Sequence, residues 1–186
     1  MSPTKRPAYC YKVPPKKPYT RKEYIKSMPQ PRLRILEIGN PNYHYDFVVL
    51  LISRQRVMIL DRALEAARIT ANRYLTKKLG RGNYFMRIRT YPHHVLRETK
   101  FLGVAGADRI QQGMRKAFGK PVDRAAIVRI NQIIMEIWIS KDALPVAKEA
   151  LRRATHKLGI DHEIEIIDFS EMYPNLVAHL SRTNIQ

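Results

Sequence analysis

The sequence has almost no cysteine. Cys10 stands alone, so the chain can form no internal disulfide and no cysteine-rich zinc site. It also has no long apolar run. The longest, Phe47 to Ile52, is the length of a strand and far short of a membrane span. The first residues, "MSPTKRPAYCYK", contain no apolar core of a secretory signal, so an intracellular location is the expectation. Acidic residues are scarce as well. Sixteen Asp and Glu face 34 Lys and Arg, which leaves a net charge of +18 on 186 residues. A domain so charged repels itself and calls for a polyanion, with nucleic acid first and an anionic membrane surface second.

The signatures of common enzymes are missing too. None of the six histidines belongs to an H-E-x-x-H or Cys/His ligand set, and no G-x-S-x-G elbow occurs. His93 and His94 are adjacent on a strand-like stretch, where they would point to opposite faces instead of chelating together. Cys10 lacks a fixed base, and the carboxylates gather toward the C-terminus, away from any basic loop. "AGADRIQQGMRKAFGKP" has the look of a phosphate cradle, but five residues separate Gly113 from Gly119-Lys120 where a Walker loop needs four. Pro121 replaces the magnesium-binding hydroxyl and has no N–H to donate. The expectation is therefore no catalysis, no cofactor and no metal.

What remains is a hydrophobic fraction of 45%, enough to form a globular core in a chain of this length. Its charge is uneven. Residues 1–34 carry ten Lys/Arg against Glu23 alone and hold seven of the twelve prolines. Residues 160–186 reverse the balance, with five Asp/Glu against Arg182. The spacing supports three regions: a basic, proline-rich arm at 1–34, an α+β domain at 35–168, and a tail at 169–186. In the arm, tyrosines interleave with cations, so Lys5, Arg6, Tyr9, Tyr11, Lys16, Lys17, Arg21, Lys22, Arg32 and Arg34 are candidate RNA contacts. Their rings would stack on bases while their charges meet phosphates.

Within the domain, "RLRILEIG" and "DFVVLLIS" read as strands around the turn "NPNYHY". A helix follows over 61–79, with Asp61 at its start, a Leu64/Ala67/Ala71/Leu75/Leu79 stripe, Lys77 and Lys78 at its negative end, and Gly80 as its stop. In "YFMRIRTY", alternation sets Met86 and Ile88 on one face and Phe85, Arg87, Arg89 and Tyr91 on the other. That second face is a candidate RNA surface whose arginines are expected to be dispensable for folding. "HHVLRE" reads as a further strand, and its Arg97 is a further candidate RNA contact. "AAIVRI" and "IIMEIWIS" read as two strands joined by a turn at Asn131-Gln132. A second helix over 141–159 carries a cap at Asp142, Pro145 in its first turn and Gly159 at its end. "HEIEII" closes the sheet, and "SEMYPNLVAHLSR" reads as a short terminal helix. The class is α+β: a mostly antiparallel sheet with two packed helices. The long loop 101–121 between two strands is of the kind that carries function.

Several of these strings together are similar to a known family. "RPAYCYK…KKPY", "EAARITANRYL", "RIRTYPHHVLR", "AGADRIQQGMRKAFGKP" and "EALRRATHKL" resemble, in the same order, the archaeal and eukaryotic large-subunit ribosomal protein ten-e. That family is the counterpart of bacterial large-subunit protein sixteen. The short ending fits the archaeal type. The resemblance implies an α/β-hammerhead-type fold and a structural, non-catalytic role in the cytoplasmic ribosome. It implies partners too: large-subunit rRNA near the peptidyl-transferase centre, tRNA at the A and P sites, and neighbouring large-subunit proteins. It also implies a part in tRNA accommodation and late subunit assembly. Loop 101–121 would reach toward tRNA, with Arg109, Arg115, Lys116 and Lys120 on phosphates and Gly113 and Gly119 allowing close approach. No membrane and no homo-oligomer are expected. The alternative is a free-standing basic RNA-binding regulator.

Overall fold

The run Val48–Ile52 does not alternate between apolar and polar because both faces of its strand are covered. Val49 and Leu51 face a core shared with two helices, and Val48, Leu50 and Ile52 face a separate aromatic cluster. The computed structural model describes Val13, Ile25 and residues 27–98 and 120–174. Lys5, Arg6, Tyr9, Tyr11, Lys16, Lys17, Arg21 and Lys22 lie outside the described residues. So do Arg109, Gly113, Arg115, Lys116, Gly119 and the tail beyond 174.

Among the described residues, eight strands and two long helices are laid down in order. Strands β1 (Glu37–Gly39), β2 (Phe47–Ser53) and β3 (Val57–Leu60) precede helix α1 (Asp61–Leu79). Next come β4 (Phe85–Ile88), β5 (His94–Glu98), β6 (Lys120–Val128) and β7 (Ile133–Ile139). A 3-10 turn at Lys141–Ala143 leads into α2 (Leu144–Leu158), followed by β8 (His162–Asp168) and the single-turn α3 (Phe169–Met172). All strand pairings are antiparallel. They form a five-stranded sheet in the order β1-β4-β7-β2-β8 and a three-stranded sheet in the order β3-β6-β5. The chain is thus an α+β protein of antiparallel sheets with two packed helices.

The helices follow their sequence signals closely. Leu64, Ala67, Ala71 and Leu75 of α1 are buried, and the small Ala67 and Ala71 share a core with Ala147, Ala150 and Ala154 of α2. Small side chains let the two helices lie close against each other and on the sheet. Pro145 occupies the first turn of α2, where its missing N–H costs nothing, and Gly159 ends the helix at φ 62°.

Three features differ from the sequence reading. Asp61 is the first helical residue and not the cap before it. Its carboxylate accepts from the Arg32 N–H at 3.0 Å and the Arg62 N–H at 2.6 Å, which ties the preceding segment to the helix. Leu33 is accordingly part of the core. Asp142 lies in the 3-10 turn and caps nothing with its side chain. Finally, Asn131-Gln132 is a turn, with Asn131 at φ 59°, but not a hairpin. β6 pairs with β3 and β5, whereas β7 pairs with β4 and β2, so the chain changes sheets there. The end of β2 holds this corner: the Asn131 N–H donates to the Ser53 carbonyl at 2.8 Å and the Ser53 N–H to the Gln132 carbonyl at 3.0 Å. Local sequence specifies the turn; the edges available to each strand specify its partners.

β1 can pair with β4 only because residue 39 has no side chain. Gly39 sits opposite Phe85 at φ 109°, and a Cβ there would overlap the Tyr84 carbonyl oxygen. Gly39→Ala should lower unfolding stability by about 2 kcal/mol or more, read from urea denaturation.

Candidate nucleic-acid interface

Register across the five-stranded sheet places two rows of residues on the face away from the helices. One row runs Glu37, Arg87, Glu136, Leu50, Glu165; the next runs Gly39, Phe85, Trp138, Val48, Ile167. The first row brings charge to the middle of a sheet. Glu136 is wholly buried. The Arg89 guanidinium donates to one of its oxygens at 2.9 Å, Arg87 lies 3.6 Å from the other, and the Tyr173 hydroxyl is 2.9 Å from both. Arg87 also donates to Glu37 at 2.8 Å. The hydrogen bond to Glu136 raises the Arg89 pKa above its ordinary value, against the opposing effect of burial. Burial, and then the neighbouring Glu136 charge, raise that of Tyr173.

The second row is aromatic. Phe85 and Trp138 rings are 4.4 Å apart, and Phe169 and Tyr173 each come within 5.0 Å of Trp138. Tyr45 closes the cluster from the side, its hydroxyl donating to the Asn40 carbonyl at 2.6 Å, and burial pushes its pKa up. Arg87 stands over both Phe85 and Trp138, 5.4 and 5.5 Å from the ring centres.

The Phe85/Arg87/Arg89/Tyr91 row therefore divides into three environments. Phe85 is core, its ring taken by Trp138. Arg87 and Arg89 are partly exposed but bound to Glu136. β4 ends at Ile88, so alternation stops there. Tyr91 turns toward the other sheet, where its exposed hydroxyl meets Arg124 at 3.3 Å. The expectation that both arginines are dispensable for folding is corrected by this geometry, since they neutralise a buried carboxylate. Glu136 and Tyr173 were missed in the sequence. A signal existed for the first: Glu136 is the lone charge inside the apolar run "IIMEIWI".

The three-stranded sheet gathers the remaining described candidates. Arg97 is 3% exposed and so buried, as are His94 and Asp123. Arg62 reaches Asp123 at 3.6 Å. Arg124 donates to the Pro29 carbonyl at 2.6 Å and seats the end of the arm, where Arg32 and Arg34 remain exposed. Val13 packs against the same sheet. Lys120 is exposed and pairs in register with Glu98, so residues 99–119 connect the paired ends of β5 and β6. His93 precedes β5 and is exposed, whereas His94 opens the strand and is buried. Among the described residues no group of His, Cys, Asp and Glu is arranged to hold a metal ion, and no helix is long and apolar enough to cross a membrane.

Two predictions follow from these buried charges. Replacing Arg87 and Arg89 together with alanine strands Glu136, and should cost about 3 kcal/mol of stability. Adding Glu136→Gln to that variant should recover most of the loss in a double-mutant cycle; a loss of under 0.5 kcal/mol would contradict the pairing.

The second concerns His94, whose pKa burial, with the nearby His93 charge, lowers from 6.5 to about 4. The fold disfavours protonated His94, so the unfolded chain binds the extra proton. Its contribution is complete above about pH 6.5 and declines as pH falls toward 4. At pH 5 the loss should be about 2 kcal/mol relative to pH 7, and His94→Gln should remove that part of the slope.

The family model for "Ribosomal protein L16p/L10e" matches residues 14–165. "Large ribosomal subunit protein uL16" of Hyperthermus butylicus is 47% identical over 171 residues, covering 89% of this chain and 95% of that protein. The protein of the same name from Staphylothermus marinus is 50% identical over 159 residues, covering 86% and 91% respectively. That from Archaeoglobus fulgidus is 47% identical over 150 residues, covering 81% and 86%. A match that runs from within the arm through both helices and both sheets, with such identity to archaeal proteins, means that the chain belongs to the L16p/L10e family of ribosomal proteins.

Proposed function

We propose that this chain is a structural, non-enzymatic constituent of the large ribosomal subunit in the cytoplasm, that it binds large-subunit rRNA, and that it lies beside other large-subunit proteins. Family membership over 152 residues, 14–165, carries this reading. The charge supports it independently: +18 on a chain in which six carboxylates of the described domain are already paired with arginines. The contacts would come from the arm residues Lys5, Arg6, Tyr9, Tyr11, Lys16, Lys17, Arg21 and Lys22, continuing through Arg32 and Arg34. Tyr91 and the solvent-facing edges of Arg87 and Arg89 would add to them. Phe85 and Arg97, being buried, would support this surface from within.

The sequence's loop 101–121 is shortened at its end, because Lys120 and Pro121 belong to β6. The segment up to residue 119, with Lys120 at its foot, is proposed to reach toward tRNA at the A and P sites near the peptidyl-transferase centre. Arg109, Arg115, Lys116 and Lys120 would meet phosphates, and Gly113 and Gly119 would permit backbone approach. The ladder that ends at Glu98 and Lys120 would give it a firm base.

A sedimentation experiment tests both parts. Large subunits from cells expressing the tagged chain should retain it through a high-salt wash. Release to the top of the gradient would instead fit a loosely bound RNA regulator. A chain lacking residues 105–115, bridged by a short glycine linker, should be retained equally but slow tRNA accommodation or final subunit maturation. Normal translation rate and fidelity with that chain would remove the tRNA role and leave the ribosomal one standing.

A further inference from the structure

Most arginines of the domain are already engaged. Arg54 pairs with Glu163, Arg62 with Asp123, Arg68 with Glu65, Arg87 and Arg89 with Glu136, and Arg153 with Glu149. A cation bound to a carboxylate adds little net attraction for a phosphate. Arg73, Lys77 and Arg81 on the outer side of α1 are different. They are exposed and join none of the ion pairs among the described residues. The surrounding chain offers no carboxylate either, since none occurs from Ala66 through Arg97.

These cations border two adjoining concavities. One lies along α1 and is lined by Ile69, Arg73 and Lys77; the other lies between α1 and the segment from Ile35 to Asn40. Arg68, Asn72, Thr76 and Arg81 line both. The wall between them is held in place. The Tyr84 hydroxyl donates to Asn72 at 2.6 Å and is 2.8 Å from the Thr76 hydroxyl. The edges include exposed isoleucines, Ile69 at 42% and Ile35 at 50%. Lys77 favours the negative end of the helix, but the helix dipole accounts for neither Arg73 nor Arg81 nor the isoleucines.

Successive cations at i and i+4 rise about 6 Å along a helix, close to the separation of neighbouring phosphates on one RNA strand. Gly80, at φ 82°, ends the helix and carries the row on to Arg81, and the space around Gly82 is open. An anionic lipid surface would demand a continuous set of bulky apolar anchors, and α1 has its apolar stripe buried.

We propose that this face of α1 is a docking site for an RNA phosphodiester backbone, with Arg73, Lys77 and Arg81 on phosphates and Ile35 and Ile69 against a ribose or an unpaired base. The site deepens the ribosomal reading above and rests on it. Recognition here is of backbone charge and shape, not of sequence, so it positions the domain on its RNA.

The test uses the full chain and protein-free, transcribed archaeal large-subunit rRNA. The Arg73→Ala/Lys77→Ala/Arg81→Ala variant is compared with Lys141→Ala/Lys148→Ala/Lys157→Ala, which removes the same charge elsewhere on the surface. The first should flatten the dependence of log affinity on log salt by about two to three and weaken binding at least tenfold near physiological salt. The second should change the slope by less than one. Thermal midpoints equal to that of the unaltered chain would establish that both variants fold. Equal losses in the two variants would reduce the effect to diffuse charge and overturn the site. RNA affinity unchanged in the first variant, with incorporation into subunits lost, would give the groove to a protein partner and also overturn it. An unaltered chain that fails to bind the rRNA would instead count against the ribosomal reading itself.

Discussion

A carboxylate in the middle of a sheet must be neutralised, and the way Glu136 is neutralised organises much of this protein. Desolvating an isolated carboxylate costs several kcal/mol even after relaxation, so the site is tenable only with partners in place. Those partners come from far apart in the chain. Arg87 and Arg89 arrive from the end of β4, and Tyr173 comes from beyond α3. Satisfying one charge therefore closes the C-terminal aromatics over Trp138 and fixes β4 against β7. Arg87 extends the same link to Glu37 and the edge strand β1.

That arrangement also decides where positive charge is left over. The carboxylates that pair with arginines among the described residues do so on the sheets, near the start of α1 and on α2. Among the described residues, Arg73, Lys77 and Arg81 form a row of exposed cations outside these ion pairs at the outer, C-terminal part of α1, and Lys141, Lys148 and Lys157 are exposed and outside them elsewhere on the surface. A net charge of +18 is thus not spread as a uniform coat. Part of it is presented on the outer side of α1 by exposed side chains that join no ion pair among the described residues. This is how a compact domain can keep a core of ordinary apolar residues and still present a strongly cationic exterior.

The two sheets divide the work of the fold. The five-stranded sheet carries the helices on one face and the aromatic cluster on the other, so its central strands are buried twice. The three-stranded sheet receives the end of the arm through Arg124 and Pro29, and the long loop connects the paired ends of its β5 and β6. Arm and loop are therefore both tied to the smaller sheet, which rests on α1 through β3 and β6.

The sequence by itself determined the α+β class, both long helices and most strands. Leu64, Ala67, Ala71 and Leu75 repeat at helical spacing, Gly159 carries the left-handed stop, and the family strings lie in order along the chain. These are local signals, readable within one or two turns of backbone. β3 escaped notice because "VMIL" runs directly into α1 without an intervening turn. What only the tertiary structure decided was partnership. Asn131-Gln132 encodes a turn, but no local pattern says that the strands on either side belong to different sheets. The alternation in "YFMRIRTY" gives a face for Arg87 and Arg89, but not the Glu136 that awaits them on a neighbouring strand. Nor does it reveal that Phe85 is roofed by Trp138 while Tyr91 turns away. Strand pairing and the neutralisation of buried charge are contacts between residues tens of positions apart, and their energies exist only once the chain has brought them together.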